Sequence, residues 1–455
     1  MRGIGIAIFS FVLYLFCAVT DTGLTVLENL SICISIYFTL NFLDNLGKKI
    51  IIMDLAVIMA CFTCLIMPVI FYHEYTKEDF LANLWKKFMP VSTDDYFTFA
   101  LPAIVAMAMG FRIPLGKLKI NSDPTEYMNN VKKVLEKKST LGMYLIVTGL
   151  ISGFLDFLAP EGLQQFFFFL GHLTFVGVFY VLYSPNKYKR IIVPSVIVLM
   201  LAQSLITGMF GDLVFILACS LVLILLGKQI AFYKKFLVVL LGLFVILILQ
   251  SVKPEYRKKV WLQGGGADPG FYTSLVLERI TDPSLMFNPD KLFFVAVRMN
   301  QGWLVATTMH RVPAKFEFAY GETIWKSIAA AIVPRFLWPD KPEAGGKANL
   351  KRFWGFDLVG FSMNIGPLGE AYGNFDVAGG IVFMFFYGLF FNLMLSYILK
   401  LTEKRPTLVL WIPFLFFYAI GVETDILTTT GSIIKGVFFT WIIFRAFRIA
   451  FRIDL

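Results

Sequence analysis

What most constrains this chain is a succession of long apolar runs with almost no charge inside them. Lipid offers backbone N–H and C=O groups no partner, so a run of about 20 apolar residues is stable there only as a helix. Twelve spans are predicted: residues 4–20, 24–42, 50–72, 96–112, 141–158, 164–183, 191–208, 210–227, 236–251, 377–399, 408–424 and 433–450. The composition agrees, since 58% of the 455 residues are hydrophobic and only 16% are charged. A soluble domain carries about 25% charged residues. The expected fold class is therefore an all-α polytopic membrane protein, with about 12 transmembrane helices and one large outer loop.

The loops orient the spans. Lys48 and Lys49, Arg112 to Lys138, Lys187 to Arg190, Lys228 to Lys235, Lys400 to Arg405, and Arg445 to Arg452 all fall on one side if Arg2 is cytoplasmic. Short cytoplasmic loops carry the excess of Lys and Arg. The opposite short loops, DTG, APEGL and ETDILTTTG, carry none. Both termini are thus expected in the cytoplasm. The net charge of +10 then reads as a topology signal rather than a nucleic-acid surface. The N-terminal run lacks a small-residue cleavage site and is expected to remain as the first span.

Three regions follow: residues 1–251 with nine spans, an outer loop at 252–376, and residues 377–455 with three spans. The loop carries 15 Lys and Arg against 12 Asp and Glu. Long loops escape the positive-inside rule. Within it, Lys291–His310 is apolar but broken by Arg298, Asn300 and Gln301, and Thr323–Val333 is amphipathic. Both are expected as short interfacial helices closing a cavity, and Pro339 and Pro342 as a stiffened turn.

Soluble catalytic signatures are missing. AGGKAN lacks the first glycine and the Ser/Thr of a phosphate-binding loop. Cys61 and Cys64 put two small side chains on one helix face, where packing is the expected role. The three histidines are far apart in sequence, so neither a metal nor a cofactor is expected. Among the acids near span ends, Glu423 faces the same side as the loop. The loop arginines suit an anionic, lipid-linked ligand, because a guanidinium forks two donors onto a phosphate and stays charged.

Two stretches carry a resemblance. Pro334, Arg335, Trp338, Pro339, Lys341 and Pro342 are followed by Gly369, Glu370, Tyr372, Asn374 and Phe375. This resembles the outer-loop signature of oligosaccharide repeat-unit polymerases, the O-antigen polymerase (Wzy-type) group. Asp376 stands where the pattern has a glycine. The resemblance implies a GT-C-like fold and a glycosyltransferase that polymerises undecaprenyl-diphosphate-linked oligosaccharides on the outer face of the bacterial cytoplasmic (inner) membrane. Its products would be O-antigen, capsule or exopolysaccharide, and its partners membrane lipid, a chain-length regulator and a flippase. A leaving diphosphate needs cations, for which Arg298 and Arg335 are first choices, with Arg279 and Lys341 behind. An acceptor hydroxyl needs a base, here Glu370 or His310. Tyr372, Asn374 and Trp338 are the candidate glycan contacts. The alternatives are a lipid-linked glycan ligase and a polysaccharide transporter or flippase. A six-plus-six carrier would put its longest linker between spans six and seven, where this chain has only SPNKYKR.

Overall fold

A computed structural model describes the chain except residues 1, 21, 74–87, 116–122, 157, 160–165, 168, 209, 263–265, 267, 287–294, 334–336, 358–362 and 452–455. Arg335 and the start of the Lys291–His310 segment therefore lie outside the described residues. The rest is helical, with no strand among the described residues. The first half contains α1 (Arg2–Val19), α2 (Val26–Asn45), α3 (Ile52–His73), α4 (Thr93–Arg112), α5 (Pro124–Glu136), α6 (Leu141–Asp156), α7 (Leu173–Tyr183), α8 (Lys189–Thr207), α9 (Gly211–Leu225) and α10 (Phe232–Arg257). Then come α11 (Pro269–Thr281), α12 (Gly302–Arg311), α13 (Glu322–Ile332), α14 (Lys347–Trp354), α15 (Gly366–Thr402) and α16 (Ile426–Phe451).

Six helices among the described residues are long and apolar enough to cross a membrane, or seven if the α5–α6 pair, bent by 87°, counts as one. This is fewer than the twelve predicted. Four further apolar helices, Gly3–Val19, Phe169–Tyr183, Ile216–Leu225 and Pro406–Leu415, are shorter, and at 1.5 Å per residue they fall short of a hydrocarbon layer about 30 Å thick. The predicted span 408–424 is not one helix. It is a 3₁₀ turn, Pro406–Trp411, followed by two single turns, Ile412–Leu415 and Phe417–Ile420. Pro406 and Pro413 cannot donate to a continuous ladder, and the break is seated by buried Trp411, whose indole N–H donates to Tyr180 Oη at 3.0 Å.

Membrane character shows in the packing as well as the lengths. Along α10, Phe236, Leu237, Leu240, Leu241, Leu243 and Phe244 are exposed, an arrangement unstable in water but suited to lipid. The central pair is α4 against α15. A Cβ at Gly388 would sit 2.2 Å from Met107 O, and one at Gly110 would sit 2.3 Å from Phe385 O. Only glycine lets these backbones approach so closely.

Hydrogen bonds tie the predicted basic loops to one end of the bundle. Gly227 N–H donates to Gly47 O at 2.8 Å, Asn186 Nδ2 to Ser139 O at 3.5 Å, and Asn392 Nδ2 to Gly110 O at 3.1 Å. Arg112 pairs with Asp54 at this end. At the other end, Thr25 and Glu28 form a reciprocal cap on α2, and Glu28 Oε1 lies 2.7 Å from His73 Nε2. Tyr72 Oη donates there to Val91 O at 3.1 Å. Asn300 and Gly302 join this second end, Asn300 against Met89 and Gly302 against Tyr96.

The predicted short helices are present. Residues 295–299 and α12 are separated at Asn300 and Gln301, where Asn300 Oδ1 accepts the Trp303 N–H at 3.2 Å. The predicted 323–333 helix is α13, which packs on α16, while α12 packs on α15. AGGKAN is a helix start: Gly346, at φ +79°, precedes α14. Cys61 and Cys64 are buried and form no disulfide.

Candidate functional site

The site is built where α15 meets the N-terminus of α16. Two local features set it up. Asp425 caps α16, its Oδ1 accepting the Thr428 N–H at 2.7 Å, a side-chain role typical of Asp at a helix start. Its other oxygen accepts the Gly346 N–H at 2.9 Å, joining α14 to α16. Gly346 is required there, since a Cβ would lie 2.1 Å from Asn364 Oδ1.

Glu370 reaches the same junction. It is fully buried, and its Oε1 accepts the Ile426 N–H at 2.8 Å. Its Oε2, like Asn364 Oδ1 and Thr428 Oγ1, is buried with no hydrogen-bond partner among the described residues. Asp425 is close enough for the two carboxylates to interact, and Asn349 is a further neighbour. Glu370 thus fixes the segment entering α16, and in this structure it is shielded from any substrate.

Two residues before Asp425 the chain is accessible. Glu423 Oε2 is 3.2 Å from Arg298 Nη2, and the Arg298 side chain is 61% exposed. Arg257, whose Nε donates to Gly208 O at 2.8 Å, lies near enough to Arg298 for their charges to interact. Two guanidiniums and a partly exposed carboxylate therefore share one surface at the end of the bundle that carries the long loop.

The other predicted residues are placed differently. Arg279 is fully buried and paired with Glu255 at 2.9 Å; Glu278 is 3.1 Å from its Nη1, without hydrogen-bond geometry. Lys341 Nζ donates to Ala330 O and Val333 O at 3.0 and 2.9 Å, closing the C-terminus of α13. Trp338 is half-buried in the turn whose Lys341 N–H donates to Trp338 O. Tyr372 packs edge-on to Phe99 with centroids 5.3 Å apart. Asn374 is buried and fully engaged: Nδ2 donates to Thr323 Oγ1 and Glu370 O, and Oδ1 accepts the Gly321 N–H. His310 is exposed on the last turn of α12, with no hydrogen bond or ion pair among the described residues.

Among the described residues, Arg298 is thus the most exposed of the predicted arginines, and it meets a carboxylate 125 residues away. Arg257, Asp425, Asn349 and Asn364 were not predicted as site residues. Of these, Asp425 had a local signal, an aspartate immediately before an apolar run. Among the described residues, no group of three or more His, Cys, Asp or Glu side chains is placed to hold a metal.

Fold and site together define a polytopic α-helical membrane protein with a charged surface at one end of its bundle. A family described as a domain of unknown function (DUF8712) matches residues 40–402, and the chain belongs to it. Curated relatives include the O-antigen polymerases of Salmonella typhimurium (strain LT2) and Salmonella typhi, each 30% identical over 112 residues. That match covers 24% of this chain and 27% of each relative. No solved structure matches.

Proposed function

We propose that this protein is a glycosyltransferase that polymerises oligosaccharide repeat units carried on undecaprenyl diphosphate, acting at the outer face of the cytoplasmic membrane. The observation that carries this reading is the 112-residue similarity to O-antigen polymerases. The exposed Arg298–Glu423 pair beside Arg257 supports it. In the proposed reaction an acceptor hydroxyl attacks the anomeric carbon of the donor glycan. The bond from that carbon to the diphosphate oxygen breaks, and the carrier leaves as the diphosphate.

Arg298 binds the diphosphate in this scheme and Arg257 adds charge. The incoming phosphate replaces Glu423 as the partner of Arg298, which frees Glu423 to take the proton of the acceptor hydroxyl. Glu423 is preferred to Glu370 as the base because Glu370 is sealed and already holds the Ile426 N–H. Glu370 is then a positioning residue. Arg335, outside the described residues, remains a second proposed diphosphate ligand.

Glycans extracted from a complemented knock-out test this. Arg298→Ala is expected to abolish long polymer and leave single lipid-linked repeats, since each lost charge-assisted bond is worth about 1.5–3 kcal/mol. Arg298→Lys is expected to rescue poorly, because an ammonium cannot fork onto two oxygens. Glu423→Gln should slow transfer with the donor still bound, and His310→Gln should leave the ladder normal. Normal ladders from Arg298→Ala and Glu423→Gln at matched protein levels would overturn the assignment. Polymer that forms but stays on its carrier would mark the protein as a ligase.

A further inference from the structure

A second charged feature lies at the opposite end of the bundle. A cavity of about 400 Å³ is lined by Lys138, Lys404, Arg405, Arg445 and Arg448, with Trp441 at its side. None of the described residues lining it is acidic. Three separate elements bring the cations together. Lys138 comes from the turn between α5 and α6, Lys404 and Arg405 from the approach to the 3₁₀ turn, and Arg445 and Arg448 from the last turns of α16.

The location fits a membrane boundary. The 87° bend at this turn lays α5 crosswise to α6. Tyr127, Met128, Val131 and Leu135 of α5 are buried in the bundle, while Lys132 and Lys133 are exposed. A helix with that pattern lies along an interface. On α16, Trp441, Arg445 and Arg448 follow at spacings of four and three residues, so they share a face. Trp441 is 56% exposed and sits about 6 Å further into the bundle than Arg445, at 1.5 Å per residue. The cavity therefore has a cationic mouth and an aromatic wall leading toward the apolar layer. Arg405 also lies over the Phe444 ring, 5.4 Å from its centroid.

We propose that this cavity binds the headgroup of an anionic membrane lipid that carries two phosphates, of the cardiolipin class. Lys404, Arg405 and Arg445 alone bring three positive charges to one small volume, which calls for more than a single negative charge. The exposed tryptophan below them calls for an amphiphile rather than a soluble anion. The site is independent of the proposed transferase chemistry, which lies at the other end of the bundle.

Native mass spectrometry of the full chain in detergent tests this, titrated with tetraoleoyl cardiolipin, with phosphatidylcholine and with inorganic pyrophosphate. One cardiolipin is expected to bind saturably, and the other two are not expected to saturate over the same range. Arg405→Gln/Arg445→Gln should weaken cardiolipin at least tenfold. Lys132→Gln/Lys133→Gln removes the same charge outside the cavity and should leave binding within twofold. If the first double variant does not fold, Arg448→Gln alone should weaken binding at least threefold. Equal losses in the two double variants would overturn the site, because surface charge alone would then explain the binding. Pyrophosphate binding as tightly as cardiolipin would overturn the lipid assignment.

Discussion

Asp376 adopts φ +60° and ψ −166°, a backbone region open almost only to glycine. It sits at the kink inside α15. An aspartate there stores strain of about 1–3 kcal/mol, which a glycine would not. Asp376→Gly is therefore expected to raise the thermal unfolding midpoint of the detergent-solubilised protein. A lowered midpoint would show that the aspartate side chain makes up for its backbone. The arginines teach a related lesson at this scale. Arg279 and Arg298 read alike in sequence, as single arginines in apolar surroundings, yet one is sealed between two glutamates and the other stands on the surface. Sequence supplies the guanidinium, whereas its burial is set by helices that arrive from elsewhere.

Among the elements, α13 shows what local pattern can reveal. Its amphipathic spacing placed a helix at 323–333, and the helix runs over Glu322–Ile332. It is anchored electrostatically by Glu322, whose carboxyl is held below its usual value by the hydrogen bond from Lys326 and then by Arg352. A carboxyl with a depressed folded pKa adds stability that is present above its unfolded pKa, about 4.3, and is lost as pH falls through the lower folded value. Amide protection across 322–332, taken relative to the intrinsic exchange rate at each pH, is expected to fall on acidification below about pH 4.3, and Glu322→Gln should remove that fall. An unchanged pH profile in Glu322→Gln would count against the ion pairs as its source. The start of α15 was far less legible. GPLGEAYGNF falls in the predicted loop, but it is helical from Gly366, eleven residues before the predicted span. Asn374 holds it in place by bonding Gly321 and Thr323, and Gly373 lies against Phe353. Such support comes from partners about 20 to 50 residues away, which no local propensity contains.

For the whole molecule, the geometry supplies a better test of topology than the loop sequence alone. Asp268 caps α11, accepting the Phe271 N–H at 2.9 Å, and its carboxyl is held low first by Lys259. A cysteine there would remove the cap. Ser274 is exposed on the same helix, and its hydroxyl donates to Phe271 O. Ser274→Cys is expected to react with a membrane-impermeant thiol reagent in intact spheroplasts. Reaction only after lysis would put the long loop inside the cell and remove the proposed outer-face chemistry with it.

The sequence by itself determined that this chain is helical and lives in a membrane, which loops carry the positive charge, and where α13 of the long loop lies. These follow from local free energies: the cost of bare backbone in lipid, the cost of charge there, and the period of a helix. Tertiary structure alone decided that Trp411 of the broken eleventh span is seated against Tyr180, that Glu370 is locked against α16, that Arg298 meets Glu423, and that five cations converge on one cavity. Each of these depends on which distant segments cross. That is settled by close packing among glycines such as Gly110 and Gly388 and by buried hydrogen bonds between elements, not by the order of residues along any one of them.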